Sequence, residues 1–366
     1  MSSSGDEEDG TSWFVDVTSP ASQQDESAGP RQQPAKVCTI KDVLRKRRGE
    51  IERRDTPKLW TPDEVPWGNL AFSPGSVCVI GGPGEVGKTA LVLDLLIRML
   101  ARYPLLRVVI ASNDMAIKEI GNRWIANLSG VNLRDIQDNA VAHDQTDKVE
   151  AAFELLDRVD DRVQFIERPF TIEQFHAAAV EFRADIAFLD YLQITASADV
   201  RHDSQQQHVA GLMLSLRALA DSGPCVITTL ALSRQGVVHA RGRVGRTDAN
   251  ELDMAVYGHA GEIEYMTDLG YVLMAESGAQ VALKPGDEYH PIRTWLQCVK
   301  GRNRVKVHVP LLFDGRFQKF TPRNPDEKKN QRKLAAPHST SGKREGGVEK
   351  PPAVKGADDD GTVWID

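Results

Sequence analysis

Short apolar runs alternate with stretches of helical periodicity through the middle of the chain. Strands are predicted over 77–80, 107–111, 163–166, 186–189 and 225–229, and helices over 89–102, 115–129, 172–183 and 208–222. The strands are apolar without alternation, which is typical of strands buried on both faces. The pattern therefore predicts an α/β domain with a mainly parallel sheet flanked by helices.

The pattern changes after about residue 269. Strand-like runs at 271–275, 280–284, 295–299 and 305–309 follow one another without helices between them. Consecutive strands of this kind pair most simply as antiparallel hairpins, so we expect C-terminal β-hairpins that extend the sheet. The whole compact domain is predicted over 59–322.

Both ends of the chain have a different composition. Residues 1–36 are rich in Ser, Gly, Gln, Pro and acidic residues, and 323–366 are rich in Lys, Asn, Pro, Gly and Ser. Such segments bury too little apolar surface to offset the entropy of ordering, so disordered tails are predicted. A helix is predicted over 39–54, within a linker at 37–58, because Thr39 and Asp42 have the spacing of a capping box. Its middle is strongly basic, and the helix either docks on a partner surface or remains solvated.

Composition and charge narrow the class of protein. The chain has 366 residues, 41% of them hydrophobic, and a formal net charge of -7, as in ordinary soluble globular proteins. The negative charge argues against general coating of nucleic acid but permits a local basic channel. No long apolar run and no signal peptide occur, so no membrane span is predicted and a cytoplasmic location is expected. The four cysteines form no CxxC pair and are predicted to be reduced and buried.

A glycine-rich turn lies between the first predicted strand and the first helix of the domain. It reads Gly82-Pro83-Gly84-Glu85-Val86-Gly87-Lys88-Thr89 and is followed by Ala90. Glycines allow the backbone angles that turn successive N–H groups towards phosphate oxygens, and the helix N-terminus adds partial positive charge. Lys88 can reach the β- and γ-phosphates, and the Thr89 hydroxyl can bind Mg²⁺. A P-loop that binds ATP and Mg²⁺ is therefore predicted; the alternative is a structural turn.

Acidic residues follow two other predicted strands at the same edge of the sheet. Asp190 ends an apolar strand where ligands gather in open parallel sheets, and it is predicted to hold Mg²⁺ together with Thr89. Asp114 follows the strand at 107–111 and is predicted to orient or deprotonate the attacking water. Glu85 is a weaker candidate for that role. The alternatives are a turn or cap residue at Asp190 and a helix N-cap at Asp114.

These segments, in this order, resemble the DnaB-type family of replicative helicases, which carry a RecA-like motor domain. Besides the P-loop, the similar segments are Ser-Asn-Asp-Met at 112–115, Asp-Tyr-Leu-Gln at 190–193, Leu-Ala-Leu-Ser-Arg at 230–234, Gly-Glu-Ile-Glu at 261–264 with Asp268-Leu269, and Val-Lys-Gly-Arg-Asn at 299–303. The P-loop is common to many families, whereas Asp-Tyr-Leu-Gln and Lys-x-Arg-Asn are more specific. The resemblance covers roughly 39–320 and implies a RecA-like P-loop ATPase core.

The resemblance implies roles that the residues alone do not establish. Asp114 would be the catalytic base, and Lys300 with the arginine finger Arg302 would reach the nucleotide site of the neighbouring subunit in a hexameric ring. The helix at 39–54 would be the linker helix that grips the next subunit. One departure concerns a glutamine thought to sense the γ-phosphate, which is Ala231 here and cannot bind phosphate through its side chain. The alternative for Lys300 and Arg302 is a pair of solvated charges in a hairpin turn.

A basic, glycine-containing segment follows the last predicted strand of the parallel sheet. Its arginines are Arg234, Arg241, Arg243 and Arg246, and no aromatic residue lies among them. A mobile loop of this kind can contact the phosphates of single-stranded DNA when ring subunits present it to a central pore. The alternative is a solvated basic loop with no ligand.

Taken with the resemblance, these motifs predict an ATP-dependent, DNA helicase-like motor that acts on single-stranded DNA in replication, with replication proteins as further partners. One alternative is a RecA-like regulatory or loading ATPase that binds DNA or a replication or recombination partner without unwinding, which Ala231 favours. The other is an inactive scaffold that binds nucleotide.

Overall fold

A computed structural model of the chain describes residues 39–53, 58–62, 67, 70–197, 204–241, 243, 252–257, 260–276, 289–302, 306 and 308–323. The predicted tails at 1–36 and 323–366 therefore lie outside the described residues, apart from Arg323. The chain divides into two compact units, Met1–Thr56 and Pro57–Asp366.

The first unit contributes helix α1, which spans Ile40–Glu52. Its N-terminus forms the predicted capping box: Asp42 N donates to Thr39 Oγ1 at 3.2 Å, and Thr39 N donates to Asp42 Oδ2 at 3.1 Å. Several apolar side chains of α1 are exposed, namely Ile40, Val43, Leu44 and Ile51. Within the described part of this unit, the apolar stripe of the helix is therefore left in solvent.

The described part of the second unit is built around one mixed sheet. Its strands are β1 (Val77–Gly82), β2 (Val108–Ser112), β3 (Val163–Ile166), β4 (Ile186–Asp190), β5 (Cys225–Ala231), β6 (Leu269–Ala275), β7 (Ile292–Gly301), β8 (His308–Asp314) and β9 (Lys319–Pro322). They lie in the order β3-β2-β4-β5-β1-β6-β7-β8-β9. Pairing is parallel from β3 across to β6 and antiparallel from β6 to β9. The predicted α/β class and C-terminal hairpins are confirmed, and the run at 280–284 lies outside the described residues.

Helices cover both faces of this sheet. They are α2 (Lys88–Arg102), α3 (Ile117–Ser129), α4 (Leu133–Gln137), α5 (Thr146–Asp157), α6 (Ile172–Glu181), α7 (Gln205–Ser222), α8 (Arg234–Ala240) and α9 (Ala260–Met266). Helices α2 and α3 pack on one face, together with Cys78 and Ile80 of β1. Helices α6 and α7 pack on the other face, together with Val77 and Val79. Because both faces of β1 are buried, its sequence is an unbroken apolar run.

Four described helices, α4, α5, α8 and α9, are not among those predicted from the sequence. Helices α4 and α8 have only five and seven residues, whereas α5 carries apolar residues at helical spacing, of which Ala152 is buried. The segment 234–240, expected as a mobile loop, is helix α8, and that expectation is wrong there. Ser233 caps α8 by accepting a hydrogen bond from Gly236 N at 3.0 Å.

Two predictions from composition can be compared with the structure. The described cysteines Cys78, Cys225 and Cys298 are buried, reduced thiols, as predicted. Over the described ranges, no helix has the length and apolar character needed to cross a membrane.

The strands define two edges of the sheet. At the carboxyl edge, the parallel strands β1, β2, β4 and β5 end and their following loops meet. At the amino edge, these strands begin. Strand β7 runs in the opposite direction, so its last residue, Gly301, lies opposite Leu269, the first residue of β6. The end of β7 is therefore at the amino edge, away from the P-loop.

Candidate nucleotide site

The P-loop, residues Gly82–Thr89, leaves the carboxyl edge at the end of β1 and enters α2 at Lys88. Gly87 has φ +94, which L side chains rarely adopt, and a Cβ there would lie 2.9 Å from Phe313 Cε1. A Cβ at Gly82 would lie 2.6 Å from Leu273 O. At Gly84, in contrast, an added Cβ would meet no atom within 4 Å, so this part of the loop has space above it.

The N-terminus of α2 faces the same space. Gly87 is its N-cap, and no side chain caps the helix. Lys88 Nζ donates to Pro83 O at 2.7 Å and to Gly82 O at 3.2 Å, so the side chain folds over the P-loop. Burial lowers the pKa of Lys88, and the charges of Asp190 and Asp114 oppose that shift. A cation thus lies beside backbone amides and a helix N-terminus, an arrangement that attracts anions.

Asp190, at the end of β4, is almost fully buried. Its carboxylate accepts hydrogen bonds from Thr89 Oγ1 at 3.0 and 3.1 Å, from Ser112 Oγ at 3.3 Å and from Thr229. Burial raises the pKa of Asp190, and the hydrogen bonds from Thr229 and Thr89 oppose the rise. The fold therefore brings Thr89 and Asp190, two residues predicted to share a metal ion, into direct contact.

A cleft of about 520 Å³ opens at the carboxyl edge above the P-loop. Asp114 lies in its wall, and its side chain is exposed. The loop that carries Asp114 is held by Arg168, whose Nη1 donates to Asp114 O at 2.8 Å. Helix α3 begins at Ile117 with Ala116 as its N-cap, so Asp114 is not the helix cap that was the alternative explanation for this residue.

Arg123 also lines the cleft, although sequence motifs alone assign it no role. It lies on α3, and its guanidinium donates to the side chain of Gln318. Burial lowers the pKa of Arg123, against the charges of Glu119, Asp190 and Asp114. Its position in the sequence could have suggested this place: Arg123 lies two turns into α3, the helix that follows Asp114, and it faces the P-loop.

The turn between β8 and β9 forms a further wall of the cleft. Phe313, Gly315 and Gln318 line it, and Phe313 stacks on Phe320 with ring centroids 4.4 Å apart. This turn is joined to α3 by Asn127, whose Nδ2 donates to Gln318 O at 2.9 Å. The C-terminal hairpins thus complete a site whose other parts come from the parallel half of the sheet.

Lys300 and Arg302 lie at the amino edge and do not line this cleft. Arg302 pairs with Asp268 at 2.9 Å, and Lys300 Nζ donates to Glu264 O. Leu269, which follows Asp268, pairs with Cys78 near the start of β1, whereas the P-loop begins at its end. About 13 Å of strand lies between the two ends, at roughly 3.3 Å per residue. Within one subunit, these cations and the P-loop are at opposite edges.

The predicted DNA-binding arginines fall on or near α8, which leaves the carboxyl edge after β5. Arg234 and Arg241 are exposed, and Arg243 Nη1 lies 3.1 Å from His239 Nε2. Arg246 lies outside the described residues. Helix α8 packs tightly on the turn Met254–Tyr257, since a Cβ at Gly236 would lie 2.1 Å from Val256 O. Arg234 and Arg241 are therefore presented by a packed helix and its end.

A glycine-rich loop between β1 and α2, with a carboxylate from another parallel strand beside its Thr, defines a P-loop domain of the RecA-like class. Solved structures agree with this fold. One that is described as an ATPase domain matches with a TM-score of 0.63 and 18% identity, over 79% of this chain and 100% of that chain. A DnaB-like replicative helicase, described with its interactions with primase, matches with a TM-score of 0.60 and 19% identity, over 78% and 67% of the two chains.

Sequence comparison identifies the family. The family model described as "DnaB-like helicase C terminal domain" matches residues 69–322. A probable plasmid replicative DNA helicase of Chlamydia trachomatis is 30% identical over 256 residues, which are 69% of this chain and 52% of that protein. The replicative DNA helicase DnaB of Helicobacter pylori is 24% identical over 155 residues, 41% of this chain and 31% of that protein.

The chain belongs to the DnaB-like helicase C-terminal domain family, because the family model covers well over half of it. The resemblance noted from the motifs is thereby confirmed. The chain spans about half the length of the Chlamydia trachomatis relative that it matches.

Proposed function

We propose that the chain is an ATP-hydrolysing motor that acts on single-stranded DNA in replication. The observation that supports this most directly is the contact between Thr89 Oγ1 and both carboxylate oxygens of Asp190, at 3.0 and 3.1 Å, beside the N-terminus of α2. A hydroxyl and a carboxylate are the hard oxygen ligands that Mg²⁺ takes when it also binds phosphates. Family membership supports the same activity.

ATP would lie across the P-loop, where it supplies the phosphoanhydride bond that is cleaved. The P-loop amides and Lys88 would bind its phosphates, and the space above Gly84 would admit them. Thr89 and Asp190 would hold Mg²⁺. Among the described residues, no group of three or more His, Cys, Asp and Glu could hold a metal ion by itself, so here the Mg²⁺ would be bound together with the nucleotide.

Hydrolysis would need groups from two subunits. Asp114 would orient the attacking water as general base, and Arg123 would offset phosphate charge from within the cleft. Lys300 and Arg302 would act on the neighbouring subunit's site, because in their own subunit they lie at the other edge of the sheet. A ring, hexameric as the family resemblance implies, supplies such a neighbour at every site, with α1 as the linker between subunits.

The DNA contact would come from the arginines on and after α8. Arg234 is exposed at the carboxyl edge, close along the chain to Ala231, which lines the nucleotide cleft. If the end of β5 moves on ATP hydrolysis, α8 and the arginines that would contact the DNA phosphates move with it.

Strand separation on a forked duplex tests this function. With ATP and Mg²⁺, the wild type should separate the strands, and Lys88→Ala should lose both separation and ATP turnover by about 10²-fold or more. Lys148→Ala is the matched control, because Lys148 is exposed on α5 and does not line the cleft. Absence of separation by the wild type under these conditions would contradict the motor.

A regulatory or loading ATPase is the second candidate. Ala231 favours it, because a methyl group in the cleft wall cannot report on the γ-phosphate. It predicts ATP hydrolysis that single-stranded DNA stimulates, without any separation of the forked duplex in the same assay. Replication proteins as partners fit both candidates, and an inactive scaffold would show no turnover with Mg²⁺.

A further inference from the structure

A side-chain amide joins two of the loops at the carboxyl edge. Gln193 lies in the short turn Leu192–Ile194, directly after β4. Its Nε2 donates to Ala231 O at 2.9 Å, and its Oε1 accepts from Ala231 N at 3.3 Å. The amide thus pairs with both backbone groups of one residue, as a neighbouring strand would.

This pairing lies beyond the end of the backbone ladder between β4 and β5. Strands β4 and β5 pair from Ile186–Cys225 to Leu189–Thr228. Three residues further along β5, the side chain of Gln193 takes the place of a strand neighbour on that side. The Gln193 side chain therefore helps to hold the end of β5 on the side that faces β4.

On the other side, Ala231 is connected to the P-loop. It pairs with Gly82 in the ladder between β5 and β1, and Leu232 N donates to Gly82 O at 3.2 Å. The same carbonyl oxygen accepts from Lys88 Nζ at 3.2 Å. Hydrogen bonds thus run from Gln193 through the end of β5 to the lysine of the P-loop.

The same end of β5 leads into the basic segment. Ser233, two residues after Ala231, caps α8, and Arg234 is the first residue of that helix. A shift of Ala231 would therefore move both the P-loop and α8. A hydrogen-bonded element that two sites share can couple their binding free energies.

We propose that Gln193 is a positioning residue that couples DNA contact at α8 to nucleotide turnover at the P-loop. Its side chain does not line the nucleotide cleft. It acts by holding Ala231 in place. Ala231 pairs with Gly82 of the P-loop and leads along the chain into α8. The inference rests on the proposed function, because it needs DNA to bind at α8.

The experiment compares three variants of the full chain. Gln193→Ala removes both hydrogen bonds. Gln193→Glu keeps the length of the side chain and the acceptor for Ala231 N. Its second carboxylate oxygen faces Ala231 O and cannot donate a hydrogen bond to it. Gln205→Ala is the matched control, because Gln205 lines the neighbouring groove with Gln193 and is exposed. Steady-state ATP turnover is measured with and without a single-stranded oligonucleotide, together with KM for ATP and the thermal midpoint.

The expected result is a fall of about fivefold or more in the ratio of DNA-stimulated to basal kcat for both Gln193 variants, the lower end of typical coupling between sites. KM for ATP should change by less than about twofold, since the contacts to phosphate remain. Gln205→Ala should behave as the wild type.

Three outcomes would overturn the inference in different ways. If the wild type is stimulated and the Gln193 variants are stimulated equally, Gln193 does not couple the sites, and the proposed function stands. If basal and stimulated kcat fall together with the thermal midpoint, Gln193 has a structural role alone. If DNA does not stimulate the wild type, the DNA contact in the proposed function fails, and the coupling fails with it.

Discussion

The two edges of the sheet carry different halves of the proposed site. At the carboxyl edge, the P-loop, Asp190 and the turn between β8 and β9 enclose a cleft within one chain. At the amino edge, Lys300 and Arg302 are held on the surface by Asp268 and the backbone of α9, and 51% of the Arg302 side chain is exposed.

Asp268 explains how the amino edge is organised. Its Oδ2 accepts from Val77 N at 2.9 Å, at the start of β1, and from Arg217 Nη1 at 2.6 Å, while its Oδ1 pairs with Arg302. One carboxylate thus fixes the start of the P-loop strand and the exposed arginine together. Within one chain, the cleft at the carboxyl edge and these cations at the amino edge are therefore separate, and under the proposed function the cations would serve the cleft of a second chain.

The largest expected effect is at the amino edge. Arg302→Ala should lower ATP turnover by about 10³-fold, the lower end for arginine fingers. Folding should be little affected, because Asp268 keeps Arg217 and Val77 N as partners. Arg158→Ala, at an exposed position just after α5, is the control.

Mixing variants tests whether Arg302 acts between subunits. In an equal, random mixture of Arg302→Ala and Lys88→Ala chains, about a quarter of the interfaces of a ring would join an intact P-loop to an intact Arg302. Turnover should therefore recover relative to either variant alone. A mixture that stays inactive at every ratio would show that Arg302 does not act on the site of a neighbouring subunit.

A smaller effect is expected inside the cleft. Arg123→Ala should lower kcat by about 10²-fold, because the cleft loses a positive charge that would lie beside the bound phosphates. Arg123→Lys should recover part of the activity, since it restores the charge but not the planar fork that meets Gln318. Turnover and the thermal midpoint are measured together. An unchanged kcat in Arg123→Ala would show that the carboxyl edge works without this residue.

The smallest effect concerns DNA. Arg234→Ala should weaken binding of single-stranded oligonucleotides to a similar degree for all sequences and reduce the slope of log K against log salt by about 0.7. Arg134→Ala is the control, because Arg134 is highly exposed on α4 and pairs with Asp138. An unchanged salt slope for Arg234→Ala would remove α8 from the DNA contact and leave the carboxyl edge a nucleotide site alone.

Much of the parallel half of the fold was predictable from the sequence. Strand β1 and helix α2 carry strong, continuous signals, because both faces of the strand and a wide stripe of the helix are buried. The P-loop was predictable for a local reason: its turn needs a backbone conformation, φ +94 at Gly87, that L side chains rarely adopt and glycine does. Helix α5 was not predicted, although Val149, Ala152, Phe153 and Leu156 stand at helical spacing; most of its residues are exposed, and Ala152 is the buried one.

Other parts of the site depend on contacts between residues far apart in the chain. Arg123 enters the cleft because α3 packs beside α2 and because Gln318, 195 positions later, holds its guanidinium. Gln193 and Ala231 are 38 positions apart and meet at neighbouring strand ends. No local pattern encodes either pairing.

The sequence by itself determined the glycine-rich P-loop, the acidic strand end at Asp190 and the order of the family motifs, because the loop depends on its local backbone and the strands on burial of continuous apolar runs. The tertiary structure decided which side chains share a site: Thr89 with Asp190, Arg123 with Gln318, and Arg302 away from them all. The physical reason is the strand order, which places β5 between β4 and β1 and turns the end of β7 to the opposite edge.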